Sequence, residues 1–474
     1  MLTKFMKLIK KLFDINITPA HIITFSFIIV IGIGTSLLML PISSNSNEVT
    51  NFLDALFTAT SAVCVTGLTV LNTTQHWSIF GKIVILIMIQ IGALGFMSIF
   101  TIVLIALGKR ITLKDRILIQ ESFNLSNFKG IVRFLKTIIK WTIIIEGVGA
   151  IFLALIFIPE FGITKGILFG IFHSISAFCN AGFDIIGDSS LVAYRTNYFI
   201  NIVIMILVIL GGLGFSVWID LSKYVKYKIF KIKDHKSYKF NLSVHSKLAL
   251  VCTAILLISG WVITLLLEYN NPSTIGTLPL PEKILISAFQ SVTLRTAGFD
   301  AIGQGDLTYG SKFFAVLLMA IGGSPGGTAG GMKTVTVGIL IVAVISSIQG
   351  RNVITAFKKS ISFSTIEKAL SVVLLMISLI FIFSILLTIT EKANLGVNYD
   401  FIDLLYEVVS ALGTVGLSTG VTPMLSTLGK CIIIICMFLG RLGATTVVLG
   451  LTFSSGSKNK KNLIKYPEEK ILVG

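Results

Sequence analysis

Apolar runs long enough to cross a membrane alternate along the chain with shorter apolar segments that end in glycine. The long runs predict eight spans, near residues 22–40, 79–107, 137–158, 198–219, 247–267, 312–348, 369–389 and 428–451. A mean hydropathy of +0.91 with only 13% charged residues excludes a soluble, disordered or disulfide-rich protein. The chain is therefore predicted to be an all-α polytopic membrane protein.

Basic residues are concentrated in alternate connections between these spans. Of the 39 Lys and Arg, 29 lie in the N-terminus, in the loops at 108–140, 220–247 and 349–368, and in the C-terminal tail. The positive-inside rule places these loops and both termini in the cytoplasm. Basic loops beside an anionic leaflet account for the net charge of +17, so we exclude nucleic-acid binding.

The short segments form an internal repeat. They occupy 51–67, 167–182, 283–298 and 402–416, and their last glycines are 115, 116 and 118 residues apart. Each is too short to span and is typical of a re-entrant half-helix. We therefore expect four M1–P–M2 repeats (span, half-helix with loop, span) arranged pseudo-four-fold around one pore. The boundaries are 1–21 for a cytoplasmic N-terminus, 22–110, 111–225, 226–348 and 349–452 for the repeats, and 453–474 for a cytoplasmic tail.

Each half-helix ends in an uncharged tripeptide that is a candidate selectivity filter. The candidates are Val65, Thr66, Gly67, Asn180, Ala181, Gly182, Thr296, Ala297, Gly298, Thr414, Val415 and Gly416. Without formal charge, these segments would coordinate an ion through backbone carbonyls, which glycine allows to turn inward. Rings of carbonyl oxygens are the basis of potassium filters, so potassium is favoured over anions.

The repeats differ in detail before the glycine. Three of them share Ser-Ala at one offset, whereas the third has Val292-Thr293 there and Arg295 where the others have Cys or Gly. Asp54 and Asp403 lie 13 residues before their glycines, which places them in the first turn of the half-helix. We expect these carboxylates to complement the helix dipole.

A small-residue motif follows each filter glycine. Gly92–Gly95 and Gly211–Gly214 indicate close helix packing. The third motif, GGSPGGTAGG from Gly322 to Gly331, interrupts an apolar region too long for one span and predicts a broken inner helix. It is either a flexible gate or a passive kink. A phosphate-binding loop is excluded because Met332 separates Gly331 from Lys333.

Arg441 lies within a predicted span, where an arginine must face water or the protein interior. It is either a positive barrier in the pore or a structural arginine paired with Glu146 or backbone carbonyls. Arg441 belongs to the fourth small-residue motif, Gly440–Gly443. The third and fourth motifs each begin 24 residues after their filter glycine, so the loop and Arg441 are expected at similar depth. The candidate gate residues are Gly322, Gly323, Ser324, Gly326, Gly327, Thr328, Gly330, Gly331, Lys333 and Arg441.

These motifs together resemble the Trk/Ktr/HKT superfamily of potassium transporters, and within it the KtrB-type membrane subunit. The resemblance covers nearly the whole chain and rests on Thr18-Pro19, Leu38-Met-Leu-Pro-Ile-Ser43, Val65-Thr-Gly-Leu68, Asn180-Ala-Gly-Phe183, Arg295-Thr-Ala-Gly-Phe299, Thr328-Ala-Gly-Gly-Met-Lys333 and Thr414-Val-Gly-Leu417. Only about 21 residues precede the first span, so the chain is more similar to Ktr than to Trk members, which carry extra N-terminal helices. Gly67 stands where plant-type members often have serine, which implies potassium over sodium.

The resemblance further implies a homodimer of two separate pores in the cytoplasmic membrane of a bacterium. It implies potassium as the transported ion, sodium as a stimulating ion, and regulation by a cytoplasmic ring of RCK subunits. Because no nucleotide-binding domain is recognisable in this chain, the regulatory nucleotide is expected on that separate partner.

Two other classes of function fit the sequence less well. An ion-coupled secondary carrier of an organic solute would also use broken helices, but it would usually show inverted repeats and side-chain ligands near the midplane. An assembly-only membrane subunit would not need four filters. The sequence has no catalytic motif and no His/Cys cluster with metal-ligand spacing, so we do not expect an enzyme.

Overall fold

The computed structural model describes residues 19–95, 130–187, 190–230, 241–351, 353–392 and 399–443. The predicted N-terminus, most of the 108–140 loop, the centre of the 220–247 loop and the C-terminal tail lie outside those residues.

The described helices repeat one order four times: a long first helix, a short pore helix and an inner helix. The first unit contains α1 (Pro19–Leu38), α2 (Phe52–Cys64), the single turn α3 (Thr73–His76) and α4 (Ile79–Leu94). The second contains α5 (Ile131–Phe161), α6 (Ile163–Cys179), α7 (Tyr198–Gly212) and α8 (Phe215–Phe230). The third contains α9 (Val244–Glu268), α10 (Leu280–Thr293), α11 (Tyr309–Ala320) and α12 (Thr334–Ile348). The fourth contains α13 (Phe363–Glu391), α14 (Phe401–Gly413) and α15 (Thr427–Leu442).

A short hairpin precedes α13 and is the one sheet in the described regions. Its strands β1 (Thr355–Ala356) and β2 (Lys359–Ser360) pair antiparallel, with Thr355 opposite Ser360. It lies in a loop predicted to be cytoplasmic.

The four first helices α1, α5, α9 and α13 are each long and apolar enough to cross a membrane. They expose large apolar side chains such as Ile255, Leu266 and Phe381, as a lipid-facing layer requires. The pore helices α2, α6, α10 and α14 are largely buried and form the centre of the molecule.

Inner helices begin at capped turns, two of which are bonded to the first helix of their unit. Ser78, Asn197, Thr308 and Ser426 each accept a backbone N–H at the start of an inner helix. In the third unit the Glu268 carboxylate, at the end of α9, accepts the Thr308 hydroxyl at 2.8 Å. In the fourth unit Glu391, at the end of α13, accepts the Ser426 hydroxyl in the same way.

The inner helices are interrupted more widely than the sequence suggested. The predicted break in the third unit lies between Ala320 and Thr334. The prediction of one continuous span over 198–219 was wrong: α7 ends at Gly212 and α8 leaves at 101° to it. Gly214 turns the chain there with a φ of +87°, which a larger residue adopts only with strain.

The first and fourth inner helices also end at the last glycine of the small-residue motif. Gly95 follows α4 with a φ of +78°, and Gly443 follows α15 with a φ of +80°. Residues 96–107 and 444–451, which the hydropathy pattern joined to these helices, lie outside the described residues. The motif therefore both allows close packing and ends the described helix.

Candidate ion pathway

Each pore helix is followed by a residue in the left-handed region, called the cap below, which reverses the chain. In three units this residue directly follows the helix, whereas in the third the right-handed Leu294 and then Arg295 come first. The caps are Val65, Asn180, Thr296 and Thr414, with φ between +51° and +64°. Asparagine adopts left-handed backbone more readily than other non-glycine residues, but β-branched residues are strained there, so the surrounding structure must hold the other three caps in place. After the cap, the N–H of the next residue bonds back to the helix, as from Thr66 to the Ser61 carbonyl at 2.8 Å.

One hydroxyl in every unit fixes the segment after the cap. Ser61 and Ser410 accept the N–H of their filter glycines, Gly67 and Gly416, at 3.1 Å. Ser176 instead donates to the carbonyl of Phe183 at 2.7 Å.

In the third unit Thr293 donates to the carbonyl of Phe299, also at 2.7 Å. Alignment by distance from the glycine put Val292 at the serine position. In the structure the Thr293 hydroxyl makes the bond that a serine makes in the other units. It can do so because the third unit has one residue fewer between this hydroxyl and the cap.

The four filter glycines form a closed ring. A Cβ added to any of these glycines would collide with a backbone carbonyl oxygen of another unit. The pairs are Gly67 with Ala181, Gly182 with Ala297, Gly298 with Val415, and Gly416 with Thr66. All four glycines have positive φ, from +69° to +97°. Each contact runs from one unit to the next in chain order and the fourth returns to the first. The structure thus brings all the predicted filter segments around one axis, lined by uncharged backbone.

A cavity of about 600 Å³ opens above this ring. It is lined by the four glycines and by the residues two positions after them, Thr69, Asp184, Asp300 and Ser418. Sequence reasoning missed the two carboxylates, although comparison of the repeats at this offset would have found them.

Both carboxylates lie in connecting loops and have perturbed acidity. Burial raises the pKa of Asp184 to about 7, against hydrogen bonds from Ser190, Gly187 and Ile186 that lower it. The pKa of Asp300 is raised well above its ordinary value, mainly by burial and further by the nearby charges of Asp184 and Glu407. When they are ionised, carboxylates in this acidic mouth would concentrate cations at the ring.

Below the ring, the glycine-rich loop between α11 and α12 fits into the break between α7 and α8. The Ser324 N–H bonds to the Gly212 carbonyl at 2.9 Å, and the Phe215 N–H bonds to the Gly326 carbonyl at 3.0 Å. The loop is closed on itself by the N–H of Gly322, which bonds to the Met332 carbonyl at 2.9 Å. Two interrupted inner helices therefore interlock through backbone hydrogen bonds.

Arg441 lies against this loop, so the two predicted gate elements meet. Its guanidinium donates to the Thr328 carbonyl of the loop, and to the carbonyls of Gly92 at 2.6 Å and Ala93 at 3.3 Å. The backbone-carbonyl alternative for Arg441 thus describes its contacts. Glu146 is not its partner here, since that carboxylate accepts the side-chain amide of Gln90 at 3.1 and 3.2 Å.

Two other cations touch the same loop. Lys333 turns back onto the Ala329 carbonyl at 2.6 Å. Arg295, noted in the sequence only as a departure of the third repeat, is buried and donates to the Gly322 carbonyl at 2.7 Å. The loop is thereby held from the third pore segment as well as from α15.

Comparisons with known proteins agree with this architecture. The TrkH family, described as a cation transport protein, matches residues 10–461. The potassium/sodium uptake protein NtpJ of Enterococcus hirae is 41% identical over 99% of this chain and 100% of its own length. The Ktr system potassium uptake protein B of Bacillus subtilis is 38% identical over 97% of this chain and 98% of its own.

A solved structure shares the fold. The crystal structure of the potassium transporter TrkH from Vibrio parahaemolyticus superposes with a TM-score of 0.66 at 18% identity, over 90% of this chain and 85% of that one. The predicted helical, polytopic membrane fold is confirmed.

Proposed function

Because the chain belongs to the TrkH family of cation transport proteins, as its motifs predicted, we propose that it takes up potassium across the cytoplasmic membrane of a bacterium. The observation that carries this proposal is the closed ring of Gly67, Gly182, Gly298 and Gly416. An uncharged ring of backbone suits a monovalent cation that exchanges water for carbonyl oxygens. The names of the two relatives, both uptake proteins for potassium, support the choice of ion.

In this proposal, residues 65–67, 180–182, 296–298 and 414–416 form the filter. Their carbonyl oxygens would replace the hydration shell of potassium as it passes along the axis. The acidic mouth formed by Asp184 and Asp300 would raise the local cation concentration above the filter.

The loop from Gly322 to Lys333 and the Arg441 side chain form the gate. Their contact through the Thr328 carbonyl supports one shared constriction. A guanidinium here would raise the energy of a potassium ion below the filter and so limit leak, and displacement of the loop would open the path.

The assembly follows from the family resemblance. Two copies would form a homodimer with separate pores. In each copy the four repeats would occupy 22–110, 111–225, 226–348 and 349–452, and both termini would lie in the cytoplasm. A cytoplasmic RCK ring would dock on the basic loops and on residues 453–474, and it would carry the regulatory nucleotide. Stimulation by sodium is supported by the relative named for potassium and sodium uptake.

Regulation by a separate partner has its own test. The purified chain alone, reconstituted in vesicles, should carry rubidium at a rate that nucleotides do not change. Addition of the RCK partner should make that rate nucleotide-dependent. Nucleotide-dependent flux from this chain alone would contradict a separate regulator.

The main function is tested by uptake of radioactive rubidium into vesicles that contain the purified chain. Potassium should compete fully, sodium weakly, and a panel of amino acids and sugars not at all. Uptake that requires an organic solute, or that an organic solute abolishes, would favour the ion-coupled carrier instead.

A further inference from the structure

Thr328 of the gate loop contacts the filter as well as Arg441. Its hydroxyl donates at 3.2 Å to the carbonyl of Phe178, near the end of the second pore helix, and at 3.2 Å to the side-chain oxygen of Asn180, the cap of that helix. Its own carbonyl accepts the Arg441 guanidinium. One residue therefore joins the barrier to the backbone that shapes the second filter segment.

The other three caps lack such a link in the described part of the chain. Val65 has no polar side-chain atom, and the buried hydroxyls of Thr296 and Thr414 have no hydrogen-bond partner. Asn180 is also the residue among the caps that best tolerates a left-handed φ, here +59°. Among the described residues, a side-chain hydrogen bond between cap and loop is thus specific to the second unit, although the loop also packs against Thr296 and Thr414.

Thr328 is closely packed against the end of the second pore helix and against Gly211 of α7. A Cβ added to Gly211 would come within 3.0 Å of the Phe178 carbonyl, the Asn180 side-chain oxygen and the Thr328 hydroxyl together. The Thr328 N–H bonds to the Gly211 carbonyl at 3.2 Å. The loop cannot shift at Thr328 without breaking bonds to the end of the second pore helix.

We propose that Thr328 is a positioning residue for the second filter segment, so that movement of the gate loop changes ion discrimination together with flux. This rests on the proposed function of the ring as a potassium filter. A barrier that acts only below the filter would change flux and leave ion discrimination unchanged. The Asn180 cap turns the chain into the filter, and loss of its bond to Thr328 would let the carbonyl of Ala181 vary in direction.

The test compares Thr328→Val with Thr328→Ser in vesicles, by measuring the potassium and sodium concentrations that halve rubidium uptake. Valine keeps the shape of threonine but removes the hydroxyl, so the sodium-to-potassium ratio of these concentrations should fall about fivefold, the equivalent of about 1 kcal/mol for one hydrogen bond. Serine keeps the hydroxyl and should keep the wild-type ratio. Thr334→Val is the matched control, because its hydroxyl bonds within the loop to Ser324 at 3.0 Å and not to the filter.

The outcomes are distinct. If Thr328→Val changes the uptake rate but leaves the ratio equal to that of Thr334→Val, the loop is only a barrier and the inference is overturned. If the wild-type protein shows no rubidium uptake that potassium competes, the proposed function itself fails.

A second pair of variants covers loss of folding in Thr328→Val. Asn180→Gly removes the acceptor and suits the left-handed backbone, so it should lower the ratio as well. In that background Thr328→Ser and Thr328→Ala should differ less in this ratio than they do with Asn180 present, since only the Phe178 carbonyl remains as an acceptor. A difference as large as that with Asn180 present would show that Thr328 does not act through Asn180.

Discussion

Lys312 in α11 and Asp403 in α14 form a buried salt bridge, with 2.8 Å between the ammonium nitrogen and a carboxylate oxygen. It ties the inner helix of the third unit to the first turn of the fourth pore helix. Lys430 and Asp54 form the same link from the fourth unit to the first, at 2.7 Å. These are the two carboxylates that the sequence placed in the first turn of a half-helix.

In the first two units, the fourth residue of the inner helix bonds to a backbone carbonyl of its own unit instead. Lys82, the fourth residue of α4, donates to the Thr74 carbonyl at 2.9 Å. Asn201, the fourth residue of α7, donates to the carbonyl of Asn197 at 2.7 Å. Phe169 and Leu285 occupy the place of the carboxylate in the second and third pore helices, so no ion pair forms there.

We predict that Lys312→Met lowers stability more than Lys430→Met. The Lys312–Asp403 side chains are 9% and 8% exposed, whereas those of Lys430–Asp54 are 18% and 21% exposed. Removal of one partner of a buried pair costs about 3–5 kcal/mol, because the other charge is left uncompensated, and an exposed pair costs less. The measurement is the thermal unfolding midpoint of the detergent-purified protein. Lys82→Met is the control, and equal losses in all three would show that ion pairing is not the cause.

Filter glycines should not tolerate side chains. In Gly67→Ser and Gly416→Ser, a Cβ would meet the carbonyl oxygen of the neighbouring segment at a φ of +97° or +95°. The filter carbonyls would be displaced, so the discrimination of potassium over sodium should fall severalfold. The amount of protein in the membrane should fall less than this discrimination. Relative potassium and sodium competition of rubidium uptake gives the readout.

The control for this series is Gly32→Ala in α1, where an added Cβ meets nothing within 4 Å. It should transport with wild-type discrimination. Unchanged discrimination in both serine variants would show that the ring is not the filter.

Arg441→Gln should raise the rate of rubidium uptake severalfold, because it removes a positive charge beside the ion path while an amide can still reach one carbonyl. Arg441→Lys separates charge from bonding, since an ammonium keeps the charge but lacks the planar fork that reaches carbonyls on two elements. A slow lysine variant beside a fast glutamine variant supports a charge barrier. Equal acceleration in both variants would point to the loss of the carbonyl contacts.

Shortening the loop between Gly322 and Lys333 should also raise flux by removing a steric barrier. Combined with Arg441→Gln, its effect should be less than additive if the two share one constriction. A shortened protein that remains folded, judged by size-exclusion profile, but no longer transports would make the loop a structural part of the pathway instead of its gate.

Much of the architecture could be predicted because it depends on local sequence patterns, namely hydropathy and the spacing of glycines. Hydropathy located the first helices, and the spacing of Gly67, Gly182, Gly298 and Gly416 located four equivalent turns. The bend after α7 was missed because the sequence stays apolar across Gly211–Gly214, and only the left-handed φ of Gly214 shows that the helix ends. Hydropathy averages over about 20 residues and cannot detect a change of direction at one of them.

Contacts between distant residues could not be predicted from one sequence. Thr328 and Asn180 are 148 residues apart, and Arg441 and Gly92 are 349 apart. Neither periodicity nor spacing specifies which carbonyl a buried arginine reaches. Thr293 was missed for a different reason, since the third unit lacks one residue and alignment to the glycine shifts its hydroxyl out of register.

The acidic mouth predicts that transport depends on pH on the side of the cavity. Asp184 has a raised pKa of about 7, so its carboxylate is ionised above that pH and neutral below it. As the pH falls from about 8 to about 6, loss of this charge should lower the local cation concentration above the ring, so the KM for rubidium should rise severalfold with little change in maximal rate.

In Asp184→Asn the KM should be high and nearly constant over this range. Glu48→Gln, which removes an exposed carboxylate that does not line the cavity, should keep the wild-type profile. A wild-type profile in Asp184→Asn would assign the pH dependence to another group, and a flat wild-type profile would show that this charge does not attract the transported ion.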